Sequence, residues 1–268
     1  MPDSVCHPGC TLGPASETDQ SFRCMQRVVR AGAMLMAFTS LLFAGGSAAQ
    51  TPAPPAPRFA VVLDAAHGGT DLGGRLGATA SQSQFEKAYT LALSVRLRSL
   101  LAARGISVVT TRESDAEVDS DRRAEIANRA NAQACITLHA SQSGTGIHIY
   151  SSSLAPAAST TMLPWKTAQA AWVTRSLALA GVVNSAMTHA GLSVALGRTD
   201  LPTIDCMACP ALAIEIGRQV TQDKAAESTG FDDPNYQASV AQAIAAAILD
   251  WKANSWRTGA SNAEAARP

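Results

Sequence analysis

Two histidines that each follow an apolar run are the side chains best placed to do chemistry. Phe59-Ala-Val-Val-Leu63 leads through Asp64-Ala-Ala to His67, and Cys135-Ile-Thr-Leu138 leads directly into His139. Both runs are short and rich in β-branched residues, the pattern of buried strands. In open α/β sheets, ligands and reacting groups collect beyond the carboxyl ends of the strands, so two imidazoles there can face one crevice. Glu86 stands at the head of the next helical pattern, where the helix dipole favours a carboxylate. Two imidazole nitrogens and one carboxylate oxygen make a ligand set for a hydrolytic Zn²⁺ ion, leaving a fourth position for water. Taken alone, Glu86 is also an ordinary first-turn glutamate.

Glu215 completes the group. It interrupts Ala211-Leu-Ala-Ile-Glu-Ile-Gly217, a run that otherwise has the composition of a buried strand. An ionised carboxylate there is costly unless it is paired, hydrogen-bonded or near a metal. If this strand lies beside the one ending in His139, Glu215 enters the same crevice, as base toward water and then as acid toward a leaving amine. The plain alternative is a salt-bridged glutamate at the exposed end of a strand.

The elements that must position these residues alternate along the chain. After the strand at 59–63 comes a Gly-rich loop, then a helix over 85–104 with apolar residues at 85, 89, 92, 93, 97, 100 and 101, closed by Gly105. A strand over 106–110 follows, then a helix capped by Asp119 or Ser120 and running to about Asn131. Strands are expected at 134–138 and 146–150, a helix from Lys166 to Ala190, a weaker strand at 192–196, the strand at 211–216 and an alanine-rich helix over 236–251. This alternation indicates an α/β fold, a three-layer α/β sandwich with a mostly parallel sheet.

The rest of the sequence bounds what this domain can be. The 268 residues carry 21 basic and 21 acidic side chains and are 47% hydrophobic. Zero net charge argues against a nucleic-acid partner, which calls for a basic face. Arg23, Arg27 and Arg30 precede an apolar stretch from Ala31 to Phe43 and then small residues, Gly45-Gly-Ser-Ala-Ala49. That is the tripartite pattern of a cleaved export signal, with cleavage before Gln50 and Met25 read as the start. The stretch is shorter than the ~20 residues of a membrane-spanning helix, so no stable span is expected after cleavage. Residues 1–49 are therefore an N-terminal extension plus signal peptide, 50–57 a Pro/Ala linker, 58–252 the functional domain and 253–268 a disordered tail.

Among the cysteines that follow the signal, Cys135 is read as a core thiol within its strand. Cys206-Met-Ala-Cys209 is read as a loop-stiffening disulfide in an oxidising compartment, with a redox pair or half a zinc site as alternatives. His148 alternates along a strand and is read as a half-exposed or core histidine, and His189 ends a helix. Arg198 and Asp200 are read by default as solvated loop charges, with contact to a substrate as the alternative. No G-K-[ST] or G-x-G-x-x-G follows the glycines at 68–74, which excludes a nucleotide loop.

In order, these segments resemble the zinc-dependent N-acetylmuramoyl-L-alanine amidases that cut bacterial peptidoglycan. The family pattern L-D-P-G-H-G-G-x-D-x-G is matched by Leu63-Asp-Ala-Ala-His-Gly-Gly-Thr-Asp-Leu-Gly73, and E-K by Glu86-Lys87. T-R and R-x-x-x-A-N are matched by Thr111-Arg112 and Arg123 to Asn128. S-I-H-A-N is matched by Thr137 to Ser141, G-x-x-v-Y by Gly146 to Tyr150, and P-A-v-L-v-E-x-G by Pro210 to Gly217. The resemblance spans about Phe59 to Ala247 and implies a phosphorylase/hydrolase-like α/β fold, one zinc ion held by His67, Glu86 and His139, and a catalytic Glu215.

Three departures fall on the rim: Ala65-Ala66 for Pro-Gly, Ser141 for Asn, and Arg218 for an aromatic residue. They make Ser141 and Arg218, with Arg198, candidate substrate-binding residues. The implied partner is peptidoglycan, met by an exported, monomeric enzyme in the periplasm or cell envelope. The resemblance also admits an activator protein as a partner, but the short segment between Tyr150 and Lys166 predicts a site open without one. The rival readings are a non-catalytic peptidoglycan-binding domain on the same fold and a zinc peptidase acting on stem peptides. The chain has no H-E-x-x-H, which removes the classical form of the latter.

Overall fold

Six strands pair in the order β4-β1-β5-β8-β6-β7, where β1 is Ala60–Ala65, β4 Ser107–Thr110, β5 Ala134–Thr145, β6 Ile147–Ser152, β7 Val194–Thr199 and β8 Ala211–Arg218. A two-stranded ribbon, β2 (Arg75–Leu76) and β3 (Gln84–Phe85), stands apart from it. This computed structural model describes residues 58–77, 84–158, 162–219, 230–231 and 233–265. The expected signal peptide and Pro/Ala linker lie outside the described residues.

Pairing is parallel from β4 through β1 and β5 to β8, and again between β6 and β7, while β6 runs antiparallel to β8. The single-residue Gly146 connection between β5 and β6 forces that reversal, because returning β6 parallel to β5 and β8 would need a longer crossover. The sheet is otherwise the mostly parallel one the sequence indicates.

Strand alternation divides the side chains between two layers. Val61, Leu63, Ile136, Leu138, Leu212 and Ile214 pack into the larger core, with α1 (Glu86–Ala102), α3 (Val173–His189) and α5 (Pro234–Ala265). The opposite face, with Val62, Cys135, Ala211 and Ala213, meets α2 (Ser120–Arg129) and α4 (Pro202–Asp205). Asp119 caps α2, its carboxylate accepting the Arg122 N–H at 2.8 Å.

Four expectations need correction. First, the disulfide joins Cys135 to Cys209, 74 residues apart, and Cys206 is a buried free thiol. Cys135 faces the smaller layer directly beside the entry to β8, which brings Cys209 rather than Cys206 against it. Second, the alanine-rich helix continues from Pro234 to Ala265, so the segment after Lys252 expected to lack structure is helical through Ala265. The helix carries on from its alanine-rich first half without meeting a proline before Pro268, although Asn254, Ser255, Thr258, Gly259, Ser261 and Asn262 are weak helix formers. Third, a 3-10 segment over Trp165–Ala171 precedes α3, in place of one continuous helix from Lys166. Fourth, β5 runs on past His139, with a register irregularity between Ala140 and Thr145, where a strand ending at Leu138 was expected.

Candidate metal and catalytic site

The site grows out of the smaller face of the sheet. Along β5 that face carries Cys135, Thr137 and His139, and along β8 Ala211, Ala213 and Glu215. His139 is in direct register with Glu215, so both side chains leave the sheet on the same side, next to each other. The condition set by the sequence, that the strand of Glu215 lie beside that of His139, is met.

His67 arrives from the turn after β1, with φ at +62°, a left-handed conformation that histidine tolerates better than β-branched residues. The turn is gripped by two buried guanidiniums. Arg123 donates to the carbonyls of Ala65 at 2.7 Å and His67 at 2.8 Å, and Arg112 to those of Ala65 at 2.9 Å and Ala66 at 3.0 Å. Arg123 is neutralised by Asp64, 2.6 Å away and 1% exposed, which also accepts from Thr111 and Thr137. Gly73 passes so close that a Cβ there would lie 2.6 Å from the His67 ring.

Glu86, the first residue of α1, joins the two imidazoles. Its Oε2 lies 3.1 Å from His67 Nε2, and its Oε1 lies 2.8 Å from His139 Nδ1. The N–H groups of Gly74 and Ala140 also donate to it, at 2.9 and 3.1 Å. Burial pushes the Glu86 carboxyl up, but the hydrogen bonds from His139, His67 and the two backbone amides outweigh it and hold it well below the usual carboxylate range. The hydrogen bond to Glu86 raises the His67 pKa against the opposing effect of burial, and Asp71 adds to the rise. Asp71 Oδ2 sits 2.8 Å from His67 Nδ1, which leaves Nε2 turned toward Glu86.

One donor atom from each of His67, Glu86 and His139 lies within 4.8 Å of the other two. Ligands at zinc distances of 2.0–2.2 Å in a tetrahedron stand about 3.4 Å apart, so small side-chain adjustments would seat an ion. Two neutral imidazole nitrogens and a carboxylate suit a borderline-soft divalent cation. A cleft of about 700 Å³ opens beside them, lined by Glu86, His139, Ser141, Tyr150 and Glu215 among others.

A family model described as N-acetylmuramoyl-L-alanine amidase matches residues 61–250. The chain belongs to this amidase family. Among solved structures it is similar to the catalytic domain of CwlV from Bacillus (Paenibacillus) polymyxa var. colistinus, at 25% identity and a TM-score of 0.54, covering 72% of this chain and 97% of that one. It is also similar to an N-acetylmuramoyl-L-alanine amidase from Clostridium difficile 630, at 21% identity and a TM-score of 0.54, covering 72% and 96%. A third is the CwlD amidase from Clostridioides difficile, solved in complex with the GerS lipoprotein, at 19% identity and a TM-score of 0.54, covering 73% and 99%. No curated protein matches the sequence.

Within this amidase, the rim candidates separate. Ser141 lines the cleft, its hydroxyl 2.9 Å from that of Ser143. Arg198 is turned to the carbonyls of Ser152 and Leu154, at 2.9 and 2.7 Å. Arg218 is half-buried at the end of β8 and is absent from the residues lining the cleft. His148 stands in register with Glu215 on the other side of β8, its ring edge on Tyr150.

Sequence reasoning passed over Asp71 and the supporting role of Arg112 and Arg123, although all three sit inside quoted motifs. An aspartate four residues after a candidate ligand was a usable signal for an imidazole-orienting carboxylate.

Proposed function

We propose that this amidase hydrolyses the amide between the lactyl group of N-acetylmuramic acid and L-alanine in peptidoglycan, using zinc held by His67, Glu86 and His139. The observation that carries the reading is the convergence of those three donors beside Glu215, on a chain whose family is defined by this reaction. Zinc, when bound, supplies a Lewis acid for the amide carbonyl and lowers the pKa of water.

The chain's own residues do the rest. Glu215, on the strand next to His139, takes the proton from the attacking water and delivers it to the leaving nitrogen of L-alanine. Asp71 holds the His67 ring in one tautomer and orientation. The Asp64, Arg123 and Arg112 network keeps the His67 turn in place, so the ligand does not depend on loop rigidity alone.

The substrate reaches the site through the cleft, whose lining includes both His139 and Glu215, and we infer that no activator has to open it. Export to the periplasm or cell envelope follows from the N-terminal pattern. Among the described residues no helix is long and apolar enough to cross a membrane.

The test is a defined muramoyl-peptide treated with purified protein whose zinc content has been measured. The expected result is one zinc per chain, basal hydrolysis without added protein, and a product peptide with a free L-alanine amine. A folded, zinc-loaded chain that releases no such peptide would overturn the reading.

A further inference from the structure

The cleft beside Glu215 has an unused cation. Among the described residues lining it, Arg75 is the only lysine or arginine. Its guanidinium lies over the Phe85 ring, 5.8 Å from the centroid, and among the described residues no acceptor is hydrogen-bonded to it. An arginine stacked on an aromatic face keeps its N–H fork free and partly ordered, the arrangement that suits a planar carboxylate.

The backbone that carries it is fixed relative to the reacting centre. Arg75 pairs with Phe85 in the β2–β3 ribbon, and Phe85 directly precedes Glu86. On the other side, the N–H of Gly74 donates to Glu86 Oε2. The Arg75 backbone is therefore anchored through both neighbours to the carboxylate that joins the two histidines.

At His139, which lines both, the cleft adjoins a more acidic region. A recess of about 360 Å³ there is lined by the exposed carboxylates of Asp71, Glu117 and Asp119. The one cation in its lining, Arg123, is committed to Asp64 and to backbone carbonyls. A substrate spanning both meets a free cation, Arg75, alongside Glu86 and Glu215 in the cleft, and only carboxylates without a free cation in the recess.

We propose that Arg75 is a specificity-determining residue that binds a carboxylate on the peptide arm of the substrate, and that the charge difference between cleft and recess sets the substrate's direction. This rests on the amidase reading, in which the scissile amide separates an uncharged N-acetylated sugar from a peptide bearing carboxylates. The peptide then lies along the Arg75 cleft and the sugar along the acidic recess. Bidentate, charge-assisted hydrogen bonds favour a carboxylate over the isosteric carboxamide. Because Arg75 is exposed, solvent and salt screening limit the preference to about tenfold.

The experiment is calorimetric titration of the zinc-loaded protein with L-alanyl-D-glutamate and with L-alanyl-D-isoglutamine, which share a free γ-carboxylate and differ only in carrying a carboxylate or a carboxamide at the α-carboxyl position. Wild type, Arg75→Gln and Arg75→Lys are compared, and hydrolysis of the two corresponding muramoyl-peptides is measured in parallel. Wild type should bind L-alanyl-D-glutamate about tenfold more tightly, with the ratio falling as salt rises. Arg75→Gln should bring the ratio to about one, and Arg75→Lys should retain part of it.

Equal affinities in wild type, a preference that survives Arg75→Gln, or no binding of either peptide would overturn the proposal. Arg75-dependent discrimination without hydrolysis of either muramoyl-peptide would support the Arg75 site and contradict the amidase activity. Hydrolysis without discrimination would do the opposite.

Discussion

The two ends of the β5–β8 pair belong to the same strands and one hydrogen-bonded ladder, yet different physics holds them. At the carboxyl end, His139 and Glu215 project half-exposed into an open cleft, beside a carboxylate held in its charged form by imidazole and amide donors. At the amino end, Cys135 and Cys209 are covalently joined and almost fully buried. There Gln169, with no exposed surface, donates to the carbonyls of Met207 and Cys209 at 2.8 and 3.0 Å and accepts from Ser176. Asn128 holds the same loop from α2, donating to the Cys206 carbonyl at 3.0 Å and accepting from the Ala208 N–H at 2.6 Å. One end gathers like-natured ligands and leaves them open to a metal and a substrate. The other satisfies its polar groups internally, and that rigidity fixes the register which sets His139 beside Glu215.

Breaking the open end should abolish function and leave the fold. Removing the metal with a chelator, or replacing His139 with alanine, should reduce hydrolysis to background while far-ultraviolet circular dichroism stays unchanged. Readdition of zinc should restore the chelated wild type but not the variant.

The next largest effect concerns the network beneath His67. Asp64→Ala leaves the Arg123 guanidinium buried without its counter-charge, and breaking a buried pair in this way costs about 3–5 kcal/mol. Denaturant unfolding should show that loss, together with weaker zinc binding because the His67 turn loosens.

Breaking the closed end should do the reverse of the first experiment. A Cys135→Ser/Cys209→Ser double variant should lose about 2–4 kcal/mol of unfolding free energy and keep most of its activity well below the melting temperature. Cys206→Ser, by contrast, should cost about 1 kcal/mol, since that thiol is outside the bridge. Equal losses in the two variants would contradict the assigned pairing.

The smallest expected effect is a pH dependence confined to the open end. In metal-free protein the raised pKa of His67 contributes stability that is complete below about pH 6.5 and is lost as pH climbs through the folded value. The depressed Glu86 contributes above about pH 4.3 and is lost as pH falls toward its folded value. Metal-free protein should therefore melt at lower temperature as pH is raised from 6 to 9. Zinc-loaded protein should show the opposite slope from its zinc contribution, because zinc binds neutral imidazole. Melting curves with and without zinc across that range check both signs.

The same contrast explains what the sequence made legible. Short apolar runs gave the strands β1, β5 and β8, and the residues beyond them, His67, His139 and Glu215, stood out because polar groups there need a reason. Local pattern also located α1 and its Gly105 stop, and α2 with its Asp119 cap. Pairings between distant residues were opaque. The Cys135–Cys209 bridge spans 74 residues, and C-x-x-C spacing drew attention to the nearer, wrong partner. Asp64 and Arg123 are 59 residues apart, so their pairing shows only once β1 and α2 are packed. The reversed direction of β6 depends on a turn, for which hydrophobic periodicity carries no signal.

The most direct measurement is digestion of purified peptidoglycan by the zinc-loaded protein and by its Glu215→Gln variant, with mass spectrometry of the soluble products. Loss of a general acid–base group lowers rates by about 10²–10⁴-fold, and this substitution leaves the three proposed zinc ligands in place. The account predicts stem peptides beginning at L-alanine from the wild type, and their near-disappearance from a variant with unchanged zinc content and melting temperature. Undiminished release by the Glu215→Gln variant, or products that still carry muramic acid on the peptide, would contradict it.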